Sequence, residues 1–439
     1  MKKSLSYLMS AILITSSVLA VNVVTAEAAV KRSKKQSVSI VKGTKKKKAI
    51  VRGRPKKALP ASAPLVNRGS PPPSCPSAGR IGIFTGAELA STIRANLNRE
   101  IEICADLLLR EADMQVIDSG FTGLVPNQPG FGFRGRLNGL GHTLSVEQAA
   151  EPRLQSGIWL GLSSMENVII ENMTLRVPGA GVGADREALA IIGGTARNSQ
   201  FRNIVLENVT SSVAGLVNDA SDSRFDNIRG SIKVRVTSGP RYAGAMARLC
   251  QNCAFTGLNL GIDYEATASF LALPPNRRTL TYGGGLVGYA DWGYIHVRQS
   301  LIRGAVRYGF MRSMIVAAHD GDASFADPTP AVPPKLIVED TRLVDIDLTP
   351  ADDGENYQVG AIAARSNLTE LNRVLLRRAT LSADGSAGGL VGIAGSVVGR
   401  EIAIEDTSVE AGERAGGMFC ILFLAGEIVG SYFLGGGAR

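Results

Sequence analysis

The chain has 439 residues, 45% of them hydrophobic, so it is long enough for several ordinary domains or for one repeat array. Its net charge of +9 hides a division: fifteen Lys or Arg and no acid lie between Lys31 and Arg80, whereas 31 basic and 38 acidic residues follow from Ile81 onward. Beyond the first thirty residues there is no run of eighteen apolar residues, which excludes a further membrane-spanning helix from the sequence pattern.

Residues 1–28 have the features of a secretory signal peptide. Lys2 and Lys3 precede an apolar run from Leu5 to Ala20, and Ala26-Glu27-Ala28 provides a small-x-small cleavage site. A membrane anchor is the alternative, although the apolar run is short for a span. We therefore expect a mature chain without a transmembrane segment, secreted, in the periplasm or at the cell surface.

Residues 29–74 form a basic segment rich in Lys and Pro, with few aromatic residues. Such a composition cannot bury enough apolar surface to offset the entropy of ordering, so we predict a disordered arm. Its cations are concentrated in two clusters, Lys45, Lys46, Lys47, Lys48 and Arg52, Arg54, Lys56, Lys57. A polycation binds polyanions, so the predicted partners are anionic envelope polymers or glycans, and a solvated linker without a specific partner is the alternative.

Residues 75–155 read as an N-terminal cap with the first strands. Thr85 and Glu88 have the spacing of a capping box, and Leu89, Ile93 and Leu97 follow on one helical face. Alternating apolar residues from Ile101 to Leu107 then predict a strand. A solenoid needs a cap over the core of its first coil, and this helix is the candidate.

Residues 156–439 contain a repeat in which a glycine or small residue precedes a short apolar run. We align the rungs on Gly157, Ala190, Gly215, Gly244, Gly285, Gly309, Gly360, Gly389 and Gly417. A base period in the mid to high twenties, with Val, Ile and Gly in the rungs, predicts an all-β fold, a right-handed parallel β-helix. Leucine-rich repeats share the period but would place several leucines at fixed offsets.

A second repeated feature is an Asn before an apolar strand, at Asn167, Asn203 and Asn227. Asn tolerates the left-handed conformation of a turn, and stacked Asn side chains can pass amide hydrogen bonds along a solenoid axis. We interpret these three residues as one structural ladder.

Five cysteines leave one without a partner in any pairing scheme. Cys75 and Cys104 flank the start of the predicted fold, and Cys250 and Cys253 are close enough in sequence for a local bridge. A redox role or half of a metal site is the alternative for the second pair. Cys420 lies in an apolar run, which predicts a buried thiol.

Several rungs resemble the GLUG motif of bacterial surface and secreted proteins. Gly284-Gly285-Leu286-Val287-Gly288 and Gly388-Gly389-Leu390-Val391-Gly392 are similar to that motif, and the segment from Thr85 to Leu144 resembles the lead-in of such proteins. The lead-in usually carries Asp-Gly-Asn-Gly, where this chain has Asn138-Gly139-Leu140-Gly141. The resemblance implies a parallel β-helix related to the pectate-lyase-like superfold, used for attachment or display, and it brings no catalytic residues.

The rival hypothesis is a polysaccharide lyase or glycoside hydrolase. Its candidate groups are Asp291, His296, Arg303 and Arg307 within one rung and its continuation. Acidic loops at Asp320–Asp322 and Asp352–Glu355 could hold Ca²⁺, although neither has an established calcium-loop spacing. An open groove with three or more charged side chains from adjacent rungs would favour the enzyme.

The C-terminal run from Met418 to Phe433 is apolar and no polar cap is visible there. We therefore expect self-association through this coil. The sequence as a whole favours an exported binding or adhesion protein without a cofactor.

Overall fold

The structure is a computed structural model that describes residues 75–95, 99–110, 112–113, 134–146, 162–178, 190–212, 214–236, 241–266, 268–274, 282–319, 335–351, 357–422 and 427–438. All of them belong to one compact unit, Arg68–Arg439. The predicted signal peptide, the predicted arm with its eight clustered cations, the rung at Gly157 and both acidic loops lie outside the described residues.

The fold begins with a strand and the capping helix. Strand β1 (Ile81–Ile83) leads into α1 (Gly86–Ala95). The capping box forms: the Thr85 backbone N–H donates to Glu88 Oε2 at 3.1 Å, and the Glu88 N–H donates to Thr85 Oγ1 at 3.2 Å. Leu89 and Ala90 are buried, so the helix covers the core of the first coil and the predicted cap is confirmed.

The next strands build the first coils by parallel pairing. They are β2 (Glu100–Ile103), β3 (Leu107–Leu109), β4 (Arg136–Asn138), β5 (Thr143–Val146), β6 (Leu162–Glu166) and β7 (Ile169–Arg176). Strand β1 pairs with β2, β2 with β4 and β4 with β7, while β3 pairs with β5 and β5 with β7. Each strand therefore lies beside its equivalent in the next coil.

The regular coils follow. In chain order they contain β8 (Gly193–Arg197), β9 (Gln200–Ser212), β10 (Val217–Ser221), β11 (Arg224–Asp226), β12 (Arg229–Val236), β13 (Tyr242–Gly244), β14 (Ala247–Gln251), β15 (Cys253–Thr256), β16 (Asn259–Ala266), the short helix α2 (Ala268–Leu271), β17 (Tyr282–Gly284), β18 (Val287–Ala290), β19 (Tyr294–Arg298), β20 (Leu301–Ala305), β21 (Met311–Ser313) and β22 (Val316–His319). The last coils contain β23 (Lys335–Glu339), β24 (Arg342–Leu348), β25 (Gln358–Gly360), β26 (Ala363–Asn372), β27 (Leu375–Ala383), β28 (Ser386–Gly388), β29 (Val391–Arg400), β30 (Ala403–Ala411), β31 (Arg414–Gly416), β32 (Phe419–Leu422), β33 (Glu427–Val429) and β34 (Tyr432–Ala438).

Every pairing between these strands is parallel and links one coil to the next. One series runs β10, β14, β18, β22, and another runs β12, β16, β20, β24. Six short strands, from β13 to β31, make a separate sheet along the same direction. This arrangement is a parallel β-helix, as the repeat predicts, and its right-handedness stays a prediction.

The strand register corrects the alignment of the rungs. Val217 pairs with Ala247, Ala247 with Val287 and Val287 with Val316. Counting back two residues, Gly285 is therefore equivalent to Met314, so the prediction of Gly309 as a rung anchor was wrong. Gly309 lies in the turn before β21, where its φ of 117° explains why a glycine occupies that position. The same count places the equivalent positions at Ile191, Ala245 and Ala361. The predicted anchors Ala190, Gly244 and Gly360 therefore each precede the correct position by one residue.

The glycines of the rung permit a tight turn between β17 and β18. A Cβ on Gly284 would lie 1.7 Å from the Val287 carbonyl oxygen, and a Cβ on Gly285 would lie 2.3 Å from the Met314 carbonyl oxygen. Both contacts are with backbone atoms, which cannot move aside. The turn places Leu286 and Val287 in the core, where both are fully buried.

Inside the β-helix, equivalent side chains of successive coils stack along the axis. Phe201, Phe225 and Phe255 are aligned by the strand register, with ring centroids 5.0 and 4.9 Å apart. All three are fully buried, so the row contributes both apolar burial and aromatic stacking to the core.

Both cysteine pairs considered from the sequence are joined in the structure. Cys75–Cys104 ties the residue after the arm to the end of β2, and Cys250–Cys253 spans a corner between β14 and β15 with both residues buried. Cys420 is half-buried, so the prediction of a buried thiol was wrong, and partial burial raises the pKa of that thiol.

Candidate functional site

The four residues of the enzyme hypothesis have separate positions in the coil. Asp291 follows β18, His296 lies within β19, Arg303 lies within β20 and Arg307 follows β20. His296 Nε2 is 3.2 Å from Glu339 Oε2, a residue of β23 in the next coil. Arg307 Nη2 is likewise 2.8 Å from Asp347 Oδ2 of β24. His296 and Arg307 thus pair along the axis with the following coil, and these contacts do not draw the two together.

The asparagines at the corners of the coils, where the backbone has positive φ, form two ladders. This finding corrects the prediction that Asn167, Asn203 and Asn227 belong to one ladder. Asn227 Nδ2 donates to Asn203 Oδ1 at 2.7 Å, and Asn203 Nδ2 donates to Asn172 Oδ1 at 2.8 Å. Asn167 instead accepts from Asn198 Nδ2 at 2.5 Å, at a second corner. All five have positive φ, between 48° and 58°. The two corners are five residues apart, so sequence spacing alone merged them.

Further along the axis, charged pairs replace the amides at the same kind of corner. Arg373 Nη2 donates to Asp340 Oδ2 at 2.8 Å, and Arg378 Nη2 donates to Asp345 Oδ2 at 2.9 Å. These four residues also have positive φ. The hydrogen bond from each guanidinium, with its charge, lowers the pKa of the Asp340 and Asp345 carboxyls. The later coils are thus linked by ion pairs at the corners.

A polar groove lies on the outer surface beside the ladder that starts at Asn167. It has a volume of about 210 Å³ and is lined by Asn198, Ser199, Gln200, Asp222, Ser223, Arg224, Asn252 and Tyr294. The register brings these residues together from four coils: Arg197 pairs with Ser221 and Ser221 with Gln251, so Asn198, Asp222 and Asn252 follow at equivalent corners.

The floor and the upper end of this polar groove are fixed by local hydrogen bonds. The buried Ser199 and Ser223 hydroxyls each donate at 2.8 Å to the carbonyl two residues earlier. Asn252 Nδ2 donates to Asp222 Oδ1 at 3.0 Å, and Asn252 Oδ1 accepts from the Tyr294 backbone N–H at 3.1 Å. Asn252 therefore holds Tyr294 in place at the end of the groove.

Three further side chains line the groove, Arg224 and Tyr294 exposed and Gln200 half-buried. Within the described part of the chain, the Gln200 amide, the Arg224 guanidinium and the Tyr294 hydroxyl have no hydrogen bond or ion pair. The Tyr294 side chain is 44% exposed. A planar guanidinium, an amide and an aromatic ring around one groove can donate to, accept from and stack on a flat, hydroxyl-rich ligand.

Sequence reasoning missed this groove. Of its residues, only Asn252 lies in a motif that the sequence singled out, the Cys250-Gln251-Asn252-Cys253 segment. The others come from coils whose register could not be read from a repeat with uneven insertions. The one usable signal was the Asn or Asp at three equivalent corners, Asn198, Asp222 and Asn252.

The interior also contains a buried histidine. His319, at the end of β22, is fully buried, and its register neighbours are Ala290 and Ser366. Burial lowers the pKa of His319 to about 4. The imidazole is therefore neutral in the fold at ordinary pH.

In the described ranges no three His, Cys, Asp or Glu side chains come together as metal ligands, and no described helix is long and apolar enough to span a membrane. Both acidic loops proposed for Ca²⁺ lie outside those ranges. No protein-family model matches the chain, and no curated protein matches it.

Proposed function

We propose that this protein is an exported bacterial β-helix protein that binds glycans at the cell envelope or outside the cell, and that the polar groove is its glycan site. The observation that supports the proposal most strongly is the combination of exposed Arg224 and Tyr294 with half-buried Gln200 over a floor of internally bonded hydroxyls. Sugar chains are recognised by groups of this kind: planar polar side chains bond the hydroxyls, and an aromatic ring packs on the sugar face.

The likeness of the glycine rungs to the GLUG motif supports the same proposal. The predicted arm supplies a second contact: its two Lys and Arg clusters attract anionic envelope polymers, while the β-helix presents the groove. Binding at two places of one chain increases the time that the protein stays on a surface.

The test is affinity electrophoresis in gels that contain a soluble neutral glucan, polygalacturonate or lipopolysaccharide. The wild type is expected to be retarded by at least one polymer, and Tyr294→Ala to lose most of that retardation. Tyr357→Ala is the matched control, because Tyr357 is similarly exposed, at 46%, but lies outside the groove. Equal retardation of the two variants, or none of the wild type, would contradict the proposal.

The alternative, a polysaccharide lyase or glycoside hydrolase, rests on the His296–Glu339 pair, because a carboxylate can orient a histidine for acid–base chemistry. The polar groove includes two charged side chains, Asp222 and Arg224, rather than three or more. Release of reducing ends or unsaturated products from the same polymers would establish the alternative, and its loss in His296→Gln would assign it to this pair.

We also propose that the C-terminal coil binds a second copy of the chain. Its large apolar side chains are exposed: Leu422 by 40%, Val429 by 52% and Leu434 by 59%. Analytical ultracentrifugation of wild type and Val429→Lys tests this. Leu108→Lys is the control, since Leu108 is 45% exposed and lies in β3, among the first strands of the β-helix. A monomeric wild type would contradict the proposal.

A further inference from the structure

The polar groove has a repeat of its own. Asn198, Asp222 and Asn252 occupy the same corner of three successive coils, with φ of 48°, 50° and 53°. Gln200 pairs with Arg224, and Arg224 pairs with Ala254, so the adjoining strand positions are stacked as well. Parallel strands lie about 4.8 Å apart, so equivalent polar groups recur along the axis at that interval.

Tyr294 closes one end of this row. Gly293, with φ of 79°, brings the chain so close to the corner below that a Cβ there would lie 1.9 Å from Asn252 Oδ1. The turn leads directly into Tyr294, whose backbone N–H is bonded to the same oxygen. The ring consequently stands at the fourth coil, next to the third corner of the row.

We propose that the polar groove takes a linear, hydroxyl-rich polymer that lies along the helix axis, with one sugar unit at each of the three corners and the end of that stretch against Tyr294. This inference rests on the proposed glycan-binding function and adds the direction and length of the bound segment. The coil spacing is close to the length of one sugar unit in an extended chain, so identical units meet equivalent groups.

The polar groups suit an uncharged chain with exchangeable hydroxyls. Asp222 and Arg224 lie in the same coil and are of opposite charge, so the groove has no net charge from its ionised side chains. The Asp222 carboxylate accepts from hydroxyls, Arg224 donates to them, and Gln200 does both. A carboxylated chain would meet Arg224 favourably but would be repelled by Asp222 at about the same distance along the axis.

Isothermal titration calorimetry with oligomers of one to six units tests the inference. The probes are glucose, N-acetylglucosamine and galacturonic acid series. For the neutral series we expect affinity to rise by about three- to tenfold with each unit up to three, the gain from one or two hydrogen bonds, and to change little beyond. Asn198→Ala should remove one step of this rise, at the end away from Tyr294. Asn259→Ala, at an exposed asparagine on a different strand series, should remove none.

The outcomes separate the two proposals. Equal affinity for the single unit and the hexamer, abolished by Tyr294→Ala, would overturn the axial arrangement and leave glycan binding in the groove. A length dependence that continues to six units, or one seen only with galacturonate, would also overturn it. Absence of binding in every series would overturn the proposed function and this inference together.

Discussion

Asn227 Nδ2 donates a 2.7 Å hydrogen bond to Asn203 Oδ1 across 24 residues of sequence, and Asn203 Nδ2 in turn donates to Asn172 Oδ1 at 2.8 Å. Each residue is in the left-handed region, where Asn costs less than other side chains. The same corner is occupied by Gly257 in the next coil, with φ of 65°. The corner therefore requires a residue that accepts positive φ, and Asn adds an axial bond.

Replacement of Asn203 separates these two contributions. Asn203→Ala loses two amide hydrogen bonds and places Cβ in a strained conformation, which should lower the free energy of unfolding by about 2 kcal/mol. Asn203→Gly loses the bonds but keeps the conformation, so about 1 kcal/mol of that loss should be recovered. Urea denaturation of both variants measures the difference. Equal destabilisation would show that the conformation contributes nothing.

A glycine in the rung tests the tight turn between β17 and β18. Gly284→Ala would place Cβ 1.7 Å from a carbonyl oxygen, so we expect failure to accumulate as folded protein or a loss of more than about 3 kcal/mol. Gly261→Ala is the matched control, because the atom nearest to its new Cβ, Ser231 Cβ, would lie 3.6 Å away. Circular dichroism and thermal unfolding of the two variants are the measurements. A folded Gly284→Ala protein with wild-type stability would refute the turn geometry.

The buried histidine makes stability depend on pH. His319 is neutral in the fold because burial lowers its pKa to about 4, whereas an unfolded chain has the ordinary value of 6.5. As pH falls from about 6.5 to about 4, the unfolded state gains a proton that the folded state does not, so stability falls by about 3 kcal/mol.

His319→Leu should remove this loss while leaving the slope below pH 4, which comes from carboxylates such as Asp340, in place. Thermal midpoints measured at pH intervals compare the two proteins. Parallel profiles for wild type and His319→Leu would show that this histidine does not control the effect.

The predicted arm is tested by deletion of residues 31–74. Because its attraction to polyanions is electrostatic, retention of the full chain on lipopolysaccharide or anionic vesicles should fall steeply with added salt. The deletion should abolish that salt-sensitive part and leave neutral-glycan binding in the groove unchanged. Co-sedimentation at two salt concentrations measures it, and undiminished binding of the shortened chain would refute the arm's role.

The sequence predicted the β-helix because Gly284, Gly285 and the apolar pair after them recur for a steric reason that the structure shows. It aligned Gly309 wrongly, because the equivalent rung has Met314 where the neighbouring rungs have a glycine or an alanine, and Gly309 is the turn glycine that precedes it. Asn167 was assigned to the wrong ladder because two corners five residues apart use the same residue type.

The groove escaped prediction for a different reason. Arg224 and Tyr294 line the same groove only because strands β11 and β19 lie on either side of β15, two coils apart. Nothing in the local pattern around either residue marks it as a ligand-binding position. The periodicity of the sequence therefore predicts the fold, whereas the position of the groove depends on the strand register, which the structure shows.

In the proposed binding mode, a sugar chain lies along the corner row of Asn198, Asp222 and Asn252. The most direct measurement is the crystal structure of the protein with the tightest-binding oligosaccharide. We expect density for three consecutive units along the helix axis, with one ring packed on Tyr294. An oligosaccharide located on another face, or crossing the coils at right angles to the axis, would contradict it.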